Sequence, residues 1–323
     1  MDLIKLDSEK IPQSQGIPNY GATCYFNSII QCILSLTSIH QLLQEKDETK
    51  IIEVKHINLA KNNDDLQSQS TNILFRTQLF KNIYNNSIQS NDISYFCRQL
   101  LDLVIFHSKS KSNNVKLDWG QQDAHELLEL LFDLFPPNIK KLFEHRYIKQ
   151  IYCPKCKKLT PQKREIETIF ILQPILPMEN KEVMPLNDFI IKQDEEINDY
   201  ICPNIQCKSK CKKIRMSILS MVPEILVFVI KKYLSSSNIA FPLRLTFLAK
   251  GGRKNLVYQL VAQSEHSGNM DGGHYWAICL RKENKNLKFK NLNDSSISND
   301  MAGPTQNSYM MFYHYIGTED IKR

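Results

Sequence analysis

Apolar residues recur every three or four positions after Cys24, which is the spacing of one helix face. Their positions are Phe26, Ile29, Ile30, Ile33, Leu34 and Leu36. A stripe of five leucines follows Asp123 in the same way, at Leu127, Leu128, Leu130, Leu131 and Leu134, and Pro136-Pro137 ends it. The pattern therefore predicts two amphipathic helices, one with Cys24 in its first turn and one that begins near Asp123.

Towards the C-terminus the periodicity changes, and runs of β-branched and aromatic residues indicate strands. Two glycines lead into the run at residues 274–280, and a second run follows at residues 287–292. A turn at residues 282–286 would join them as a hairpin and bring Asn293-Asp294 back towards His274. A helical first part and a sheet-rich second part together indicate an α+β fold.

The composition is that of a soluble globular protein. The chain has 323 residues, of which 42% are hydrophobic and 23% charged, so it can bury a large core, and no apolar run approaches the length of a membrane span. The net charge of +7 would suit nucleic acid, but the lysines are dispersed and lack interleaved aromatic residues. We therefore expect a monomer that binds neither membrane nor nucleic acid.

The nine cysteines indicate a reducing compartment. Nine is an odd number, and two of the cysteine pairs have the spacing of metal ligands, so disulfides are not expected. Cytoplasm and nucleus share this redox signature, and the sequence predicts a cytoplasmic or nuclear protein, or one found in both.

Cys24 stands where a reactive thiolate is easiest to make, at the start of a predicted helix. Thr23 is the expected N-cap, and the free N–H groups of the first turn are expected to lower the thiol pKa. A thiolate can attack a carbonyl carbon. Cys32 and Cys97 are interpreted as packing residues, and Cys24 taken alone has the same structural alternative.

A histidine and two polar residues downstream complete a candidate triad. Cys24, His274 and Asn293-Asp294 occur in the chain order of a cysteine-protease triad. Chemistry alone leaves open which of Asn293 and Asp294 accepts a hydrogen bond from the imidazole Nδ1–H. His266 is a weaker alternative base, because no rigid strand is predicted beneath it.

Two short-spaced cysteine pairs predict a metal site between the catalytic ends of the chain. Cys153 and Cys156 form one pair, and Cys202 and Cys207 form the other, with Cys211 as an alternative to Cys207. Four thiolates suit tetrahedral zinc and leave no position open for water, so the zinc would be structural. A set of unliganded thiols is the alternative.

Five motifs occur in the order that is typical of one enzyme family. They lie at residues 16–28, 121–126, 273–275, 293–296 and 309–313 and span nearly the whole chain. These motifs resemble those of the ubiquitin-specific proteases. The resemblance implies a papain-like cysteine protease fold with a helical thumb, a β-sheet palm and zinc-ribbon fingers.

The resemblance also implies a role for each catalytic position. Cys24 would be the nucleophile and His274 the base, with Asn293 as its hydrogen-bond acceptor and Asp294 as a polar support. Asn19 would stabilise the oxyanion. The family usually has asparagine directly after the glycine of the first motif, where this chain has Ala22. That change leaves the assignment standing, because Asn19 is intact.

A third implication concerns the substrate, which would be ubiquitin attached to other proteins. Gln122, Asp123, Glu126 and Tyr275 match positions that face the C-terminal tail of ubiquitin, and the two carboxylates would pair with the arginines of that tail. Residues 263–273 are expected to form a loop over the tail. The implied activity is hydrolysis after the terminal glycine. The alternatives are a weak or inactive ubiquitin-binding scaffold and a basic zinc-ribbon module for nucleic acid.

The predicted organisation is a single catalytic domain over residues 16–318. A lead-in of residues 1–15 precedes it, and a tail of residues 319–323 follows. Within the domain, the thumb would cover about residues 16–140, the first part of the palm with the fingers about 141–235, and the rest of the palm about 236–318. The catalytic cleft would then lie between the helical and sheet lobes.

Overall fold

The computed structural model describes residues 9–44, 72–110, 117–172, 184–185, 192–210, 212–231, 239–248, 254–269, 272–284 and 286–320. Helices occupy the first part of these ranges. They are α1 (Cys24–Leu34), α2 (Thr37–Gln44), α3 (Ile73–Ile88), α4 (Ser94–Ser110), α5 (Ala124–Leu134) and α6 (Pro137–Lys141). The two helices that the apolar periodicity predicts are therefore confirmed as α1 and α5.

Strands occupy the remainder of the described chain. They are β1 (His145–Cys153), β2 (Lys158–Leu159), β3 (Lys163–Glu167), β4 (Phe170–Leu172), β5 (Met184–Pro185), β6 (Lys192–Ile197), β7 (Lys213–Met221), β8 (Ile225–Ile230), β9 (Ile239–Ala240), β10 (Arg244–Leu248), β11 (Lys254–Asn269), β12 (Gly272–Glu283), β13 (Asn286–Asn293), β14 (Ser296–Asn299) and β15 (Ser308–Asp320). The mixed α+β class is confirmed.

The strands form two main sheets. The larger one, which we call the palm sheet, has the order β14-β13-β12-β11-β15-β8-β4, with β10 paired to β11. The smaller one, which we call the finger sheet, has the order β2-β1-β7-β6, with β3 paired to β1. The short strands β5 and β9 pair separately and in parallel. The predicted hairpin is present as β12 and β13, and its turn includes Asn284 in the left-handed region.

Two apolar cores lie on opposite faces of the palm sheet. Successive strand residues point to opposite sides, so on β15 Met310 and Phe312 face the core shared with the helices, whereas Met311 and Tyr313 face the other. The second core is rich in aromatic residues and includes Tyr147 of the finger sheet. The two sheets therefore share apolar packing.

Helix α1 lies at the centre of the molecule. All eleven of its residues are buried, because it packs against β11 and β12 on the palm sheet and against α5 among the helices. The buried guanidinium of Arg281 on β12 ties the two lobes together. Its Nη1 donates to Ser35 Oγ at 2.7 Å, and its Nη2 donates to the carbonyl of Gln31 at 2.9 Å. The C-terminal end of α1 is thereby fixed against the strand that carries His274.

In the part of the chain that the structure describes, no single helix is long and apolar enough to cross a bilayer. The pair α1 and α2 passes by length and composition when the two are taken together, across a bend of 73°.

The expectation of a loop at residues 263–273 is wrong, because strands continue through it. β11 and β12 pair as far as Asn269 opposite Gly272, and only residues 270–271 between them lie outside the described residues. Glycine is needed here for close packing: a Cβ on Gly273 would lie 2.3 Å from Nε2 of His266. His266 accordingly stands on a strand.

Candidate active site

Cys24 is the first residue of α1, and its side chain is buried. Thr23 occupies the N-cap position as expected, but its hydroxyl makes no cap bond. It accepts instead from the N–H of Tyr20 at 3.0 Å, and it lies 3.3 Å from Asn19 Oδ1. The main-chain N–H of Tyr275 donates to the Cys24 sulfur. The thiol therefore lies against β12, one residue along from His274.

Burial raises the pKa of the Cys24 thiol, and this effect is larger than any other at the site. The N–H of Tyr275 opposes it, and the carboxylate of Asp294 raises the pKa further. The expected lowering of the thiol pKa by the helix start is therefore wrong, because lost solvation outweighs the N–H groups. A thiol of raised pKa needs a neighbouring base to remove its proton.

His274 and Asn293 form the hydrogen bond that such a base requires. The imidazole Nε2 lies 2.6 Å from Asn293 Oδ1. An amide oxygen only accepts, so Nε2 carries the proton and Nδ1 keeps its lone pair. The nitrogen that bonds to the acceptor is thus Nε2, where the sequence led us to expect Nδ1. Asn293, and not Asp294, is the acceptor, as the family resemblance favours.

Trp276 was missed by sequence reasoning, although it lies beside the imidazole. Its indole and the ring of His274 have centroids 6.1 Å apart and planes inclined by 21°. Residues at i and i+2 of a strand share a face, so an aromatic residue two positions after a candidate base was the available clue. The indole covers one side of the imidazole.

Asp294 contacts Asn19 and Asn27, and not the imidazole as expected. Its Oδ2 accepts from Asn19 Nδ2 at 2.9 Å, and its Oδ1 accepts from Asn27 Nδ2 at 2.8 Å. Its main-chain carbonyl also accepts from the N–H of Ile17 at 3.0 Å. Asp294 therefore joins the end of the palm hairpin to the segment before α1 and does not support the imidazole.

Asn19 is held in place from two directions. Its Oδ1 accepts from the N–H of Thr23 at 3.0 Å, and one proton of its Nδ2 goes to Asp294. A carboxamide NH₂ carries two protons, so the second can point into the cleft, to which Asn19 is exposed. The bond from Thr23 closes the turn around Ala22 without any polar side chain at that position.

Asn27 is a second residue that sequence reasoning did not single out. It is buried on α1, and its Nδ2 lies 3.1 Å from the carbonyl of Ile17 and 3.2 Å from that of Pro18. Together with the bond to Asp294, these contacts fix the chain that leads to Asn19. A polar residue on an apolar helix face, three positions after Cys24, was the available clue.

One close approach and one positive φ explain two glycines in this region. A Cβ on Gly16 would lie 2.6 Å from the backbone of Ser295, so the segment before α1 can reach the palm turn only without a side chain. Gly21 has φ of +109°, a conformation that side chains disfavour. Asp294 itself has φ of +50° in the two-residue turn between β13 and β14, which aspartate tolerates.

The glutamines at the start of α5 make contacts across the cleft and within their own loop. Gln121 Nε2 donates to the carbonyl of Gly273, which precedes His274 on β12. Gln122 Nε2 donates to Asp118 Oδ1 at 2.7 Å and is half-buried. Gln121 therefore links the helical lobe to the catalytic strand. Sequence reasoning did not predict this contact for either glutamine.

Asp123 and Glu126 lie at the N-terminus of α5, and their surroundings differ. Asp123 is the N-cap, accepts from the N–H of His125 at 2.6 Å and also accepts the hydroxyl of Tyr309 at 2.7 Å. Burial, followed by the charges of Asp123 and Glu129, raises the pKa of Glu126. Between described residues, no ion pair involves Glu126. A bound cation would therefore stabilise the ionised form of the Glu126 carboxylate.

Tyr275 is buried, so its ring does not offer an exposed surface to a ligand. Its ring centroid lies 4.3 Å from that of His266 and 5.7 Å from that of Tyr309. The three rings form one wall behind the catalytic strand. His266 is thus part of this wall, whereas Asn293 accepts from the imidazole of His274.

Four cysteines of the finger sheet converge on one point. The sulfurs of Cys153, Cys156, Cys202 and Cys207 all lie within 4.8 Å of one another. The Cys153–Cys207 and Cys156–Cys202 separations are 3.9 and 3.7 Å. Tetrahedral zinc with Zn–S bonds of about 2.3 Å requires sulfurs about 3.8 Å apart. The cluster fits zinc and includes Cys207, while Cys211 lies outside the described residues.

Comparison with known proteins gives the family. A family model described as ubiquitin carboxyl-terminal hydrolase matches residues 15–313. The chain belongs to this family. Ubiquitin carboxyl-terminal hydrolase 8 of Saccharomyces cerevisiae is 23% identical over 347 residues, which cover 92% of this chain and 70% of that protein. Ubiquitin carboxyl-terminal hydrolase 2 of Bos taurus is 24% identical over 352 residues, which cover 95% and 56%.

Solved structures share the fold of this ubiquitin carboxyl-terminal hydrolase. The SAGA Ubp8/Sgf11/Sus1/Sgf73 DUB module bound to ubiquitin aldehyde matches with a TM-score of 0.65 and 19% identity, over 95% of this chain and 70% of that one. A SAGA DUB module bound to monoubiquitin matches with a TM-score of 0.63 and 18% identity, over 97% and 71%. The predicted papain-like arrangement of helical and sheet lobes is confirmed.

Proposed function

We propose that the chain is a thiol-dependent deubiquitinase, which hydrolyses the isopeptide or peptide bond after the C-terminal glycine of ubiquitin. One observation carries the proposal: in a ubiquitin carboxyl-terminal hydrolase, the Cys24 sulfur lies on the N–H of Tyr275 while Asn293 holds the adjacent imidazole of His274. The nucleophile and base thus come from opposite ends of the chain and meet at the junction of α1 and β12.

The mechanism follows from the proton positions. Nδ1 of His274 takes the Cys24 proton, and the sulfur attacks the carbonyl carbon of the terminal glycine. The oxyanion accepts a hydrogen bond from Asn19 Nδ2. The imidazolium, stabilised by Asn293, returns the proton to the departing lysine amine. Water then gives a proton to the same imidazole and attacks the thioester, which releases ubiquitin with a free carboxylate and restores the thiol.

The cysteine cluster would hold a structural zinc in this proposal. When bound, zinc would join two connections at one end of the finger sheet, since Cys153 ends β1 and Cys202 and Cys207 lie between β6 and β7. The partners would be ubiquitin and ubiquitinated proteins. We also propose that the chain acts as a monomer, away from membranes, in the cytoplasm or nucleus, where its thiols stay reduced.

A ubiquitin in which a propargylamide replaces the C-terminal glycine tests the proposed activity. We expect one covalent adduct per chain, and peptide mapping should place it on Cys24. The heat-unfolded chain is the control and should form no adduct, because the reaction needs the folded triad. Absence of an adduct, or an adduct on another cysteine, would contradict the proposal.

The substitution Glu126→Gln should separate stability from substrate binding. An acid whose folded-state pKa is raised destabilises the native state once pH exceeds its ordinary value of about 4.3. We therefore expect a higher Tm than wild type at neutral pH, with the difference fading as pH falls towards that value. The same change removes the proposed partner of a ubiquitin arginine and should raise KM about tenfold, with kcat little changed.

Glu129→Gln is the matched control for this prediction. Glu129 is exposed one turn away and pairs with His125 at 3.5 Å. Thermal unfolding between pH 4 and 8 and steady-state kinetics on a fluorogenic ubiquitin amide measure the two effects. An unchanged KM in Glu126→Gln, or equal increases in both variants, would show that Glu126 does not bind the tail.

A further inference from the structure

Lys213, the first residue of β7, is fully buried beside the cysteine cluster. Its Nζ donates to the carbonyl of Ser209 at 3.0 Å and lies 3.3 Å from Ser209 Oγ. A buried ammonium is costly unless charge or hydrogen bonds compensate for its lost hydration. Negative charge close to this ammonium would therefore stabilise it.

Ser209 connects this cation to the sulfurs. It is itself buried, and its Oγ lies 3.2 Å from the sulfur of Cys207 and 3.6 Å from that of Cys153. The hydroxyl can donate to a thiolate while its oxygen accepts from the ammonium. A short polar chain thus runs from Lys213 through one hydroxyl to two of the four candidate ligands.

The loaded cluster would supply such charge. Four thiolates around one Zn²⁺ carry a net charge of −2, and the structure shows main-chain N–H groups on these sulfurs, such as that of Asn204 on Cys202. The neighbouring lysines are exposed and have carboxylate partners: Lys212 pairs with Glu196, and Lys210 with Asp199 at 3.1 Å. Of these three lysines, only Lys213 is placed inside, on the cluster.

A cavity lies beside the cysteine cluster and Lys213. Its volume is 320 Å³, and its lining includes Cys153, Cys202 and Lys213 together with apolar side chains such as Leu159 and Tyr200. Cys153 and Cys202 are buried at this lining, so the space borders two candidate ligands that solvent scarcely reaches. Lys213 lines the same cavity.

We propose that Lys213 is the counter-ion of the zinc-loaded cysteine cluster, acting through Ser209 to retain the metal. The inference rests on the proposed zinc site and goes beyond its four ligands. Groups that orient and support metal ligands typically affect metal affinity about 10- to 100-fold. Removing the charge should therefore weaken zinc retention and leave the distant Cys24 chemistry untouched at saturating zinc.

The test compares zinc release from Lys213→Met and Lys212→Met in the full chain. Both variants lose one positive charge and keep an unbranched side chain, but only Lys213 is buried on the cluster. Release into excess 4-(2-pyridylazo)resorcinol is followed by absorbance. We expect Lys213→Met to release zinc about tenfold faster than wild type, Lys212→Met to match wild type, and Lys213→Arg to restore most of the retention.

The outcomes separate this inference from the zinc site itself. Purified wild-type chain without zinc, even after reconstitution, would overturn the proposed site. Zinc-loaded wild type with an unchanged release rate in Lys213→Met would overturn the role of Lys213 alone. If Lys213→Met does not fold, Ser209→Ala decides: it keeps the ammonium but removes the hydroxyl link, and a wild-type release rate would again refute the inference.

Discussion

Alanine at Cys24 or at His274 is expected to lower kcat/KM for a ubiquitin amide by on the order of 10⁴-fold or more, and the double variant is expected to lose no more than either single one. The reason is that the two side chains act on one proton. Burial raises the pKa of the Cys24 thiol, so without His274 the sulfur stays protonated. Without Cys24, the imidazole has no nucleophile to activate.

His266→Ala is the control for this pair. His266 lies opposite Tyr275 in the register of β11 and β12, one position from His274, and its ring packs against that tyrosine. It should keep activity within about tenfold of wild type, because it orients no reacting group. Steady-state kinetics on the four variants and the wild type measure the losses, and circular dichroism confirms folding. Additive losses, or wild-type turnover in His274→Ala, would refute the proposed pair.

Local patterns predicted the elements that carry the site. The position of Cys24 at a helix start follows from apolar spacing within one helix, and the β12–β13 hairpin follows from two strand-like runs with a turn between them. The choice of Asn293 needed the family resemblance, because an amide oxygen and a carboxylate can both accept from an imidazole N–H. The spacing of the finger cysteines predicts the metal site, but it leaves Cys207 and Cys211 as alternatives for the fourth ligand.

Long-range contacts decided what the sequence did not predict. The direction of the Cys24 pKa shift depends on how completely α1 is enclosed by the palm sheet and α5, and no local pattern contains that information. The bonds of Asp294 to Asn19 and Asn27 join residues more than 260 positions apart. Residues 263–273 were misread because glycine marks both loops and close strand packing, and here Gly273 clears space for His266.

The position of Asn19 leads to the second large expected effect. Asn19→Ala should lower kcat by about 10²- to 10³-fold with little change in KM, since the amide acts only on the oxyanion of the transition state. Asp294→Asn should cause a loss of the same order. Asparagine tolerates the left-handed φ of this position, but it offers one acceptor oxygen in place of the two that hold Asn19 and Asn27.

Coupling between the two substitutions separates this positioning role from a general structural one. If Asp294 acts by holding Asn19, the double variant should be no slower than Asn19→Ala alone. Ser295→Ala, on the exposed neighbour in the same turn, should match wild type. The pKa of the Cys24 thiol distinguishes an effect on the oxyanion from an effect on the nucleophile. Removing the Asp294 charge makes this thiol more acidic. The pH dependence of Cys24 alkylation measures the acidity of the thiol. A slower enzyme with a more acidic thiol would locate the loss at the oxyanion. Additive losses in the double variant would show that Asp294 acts elsewhere.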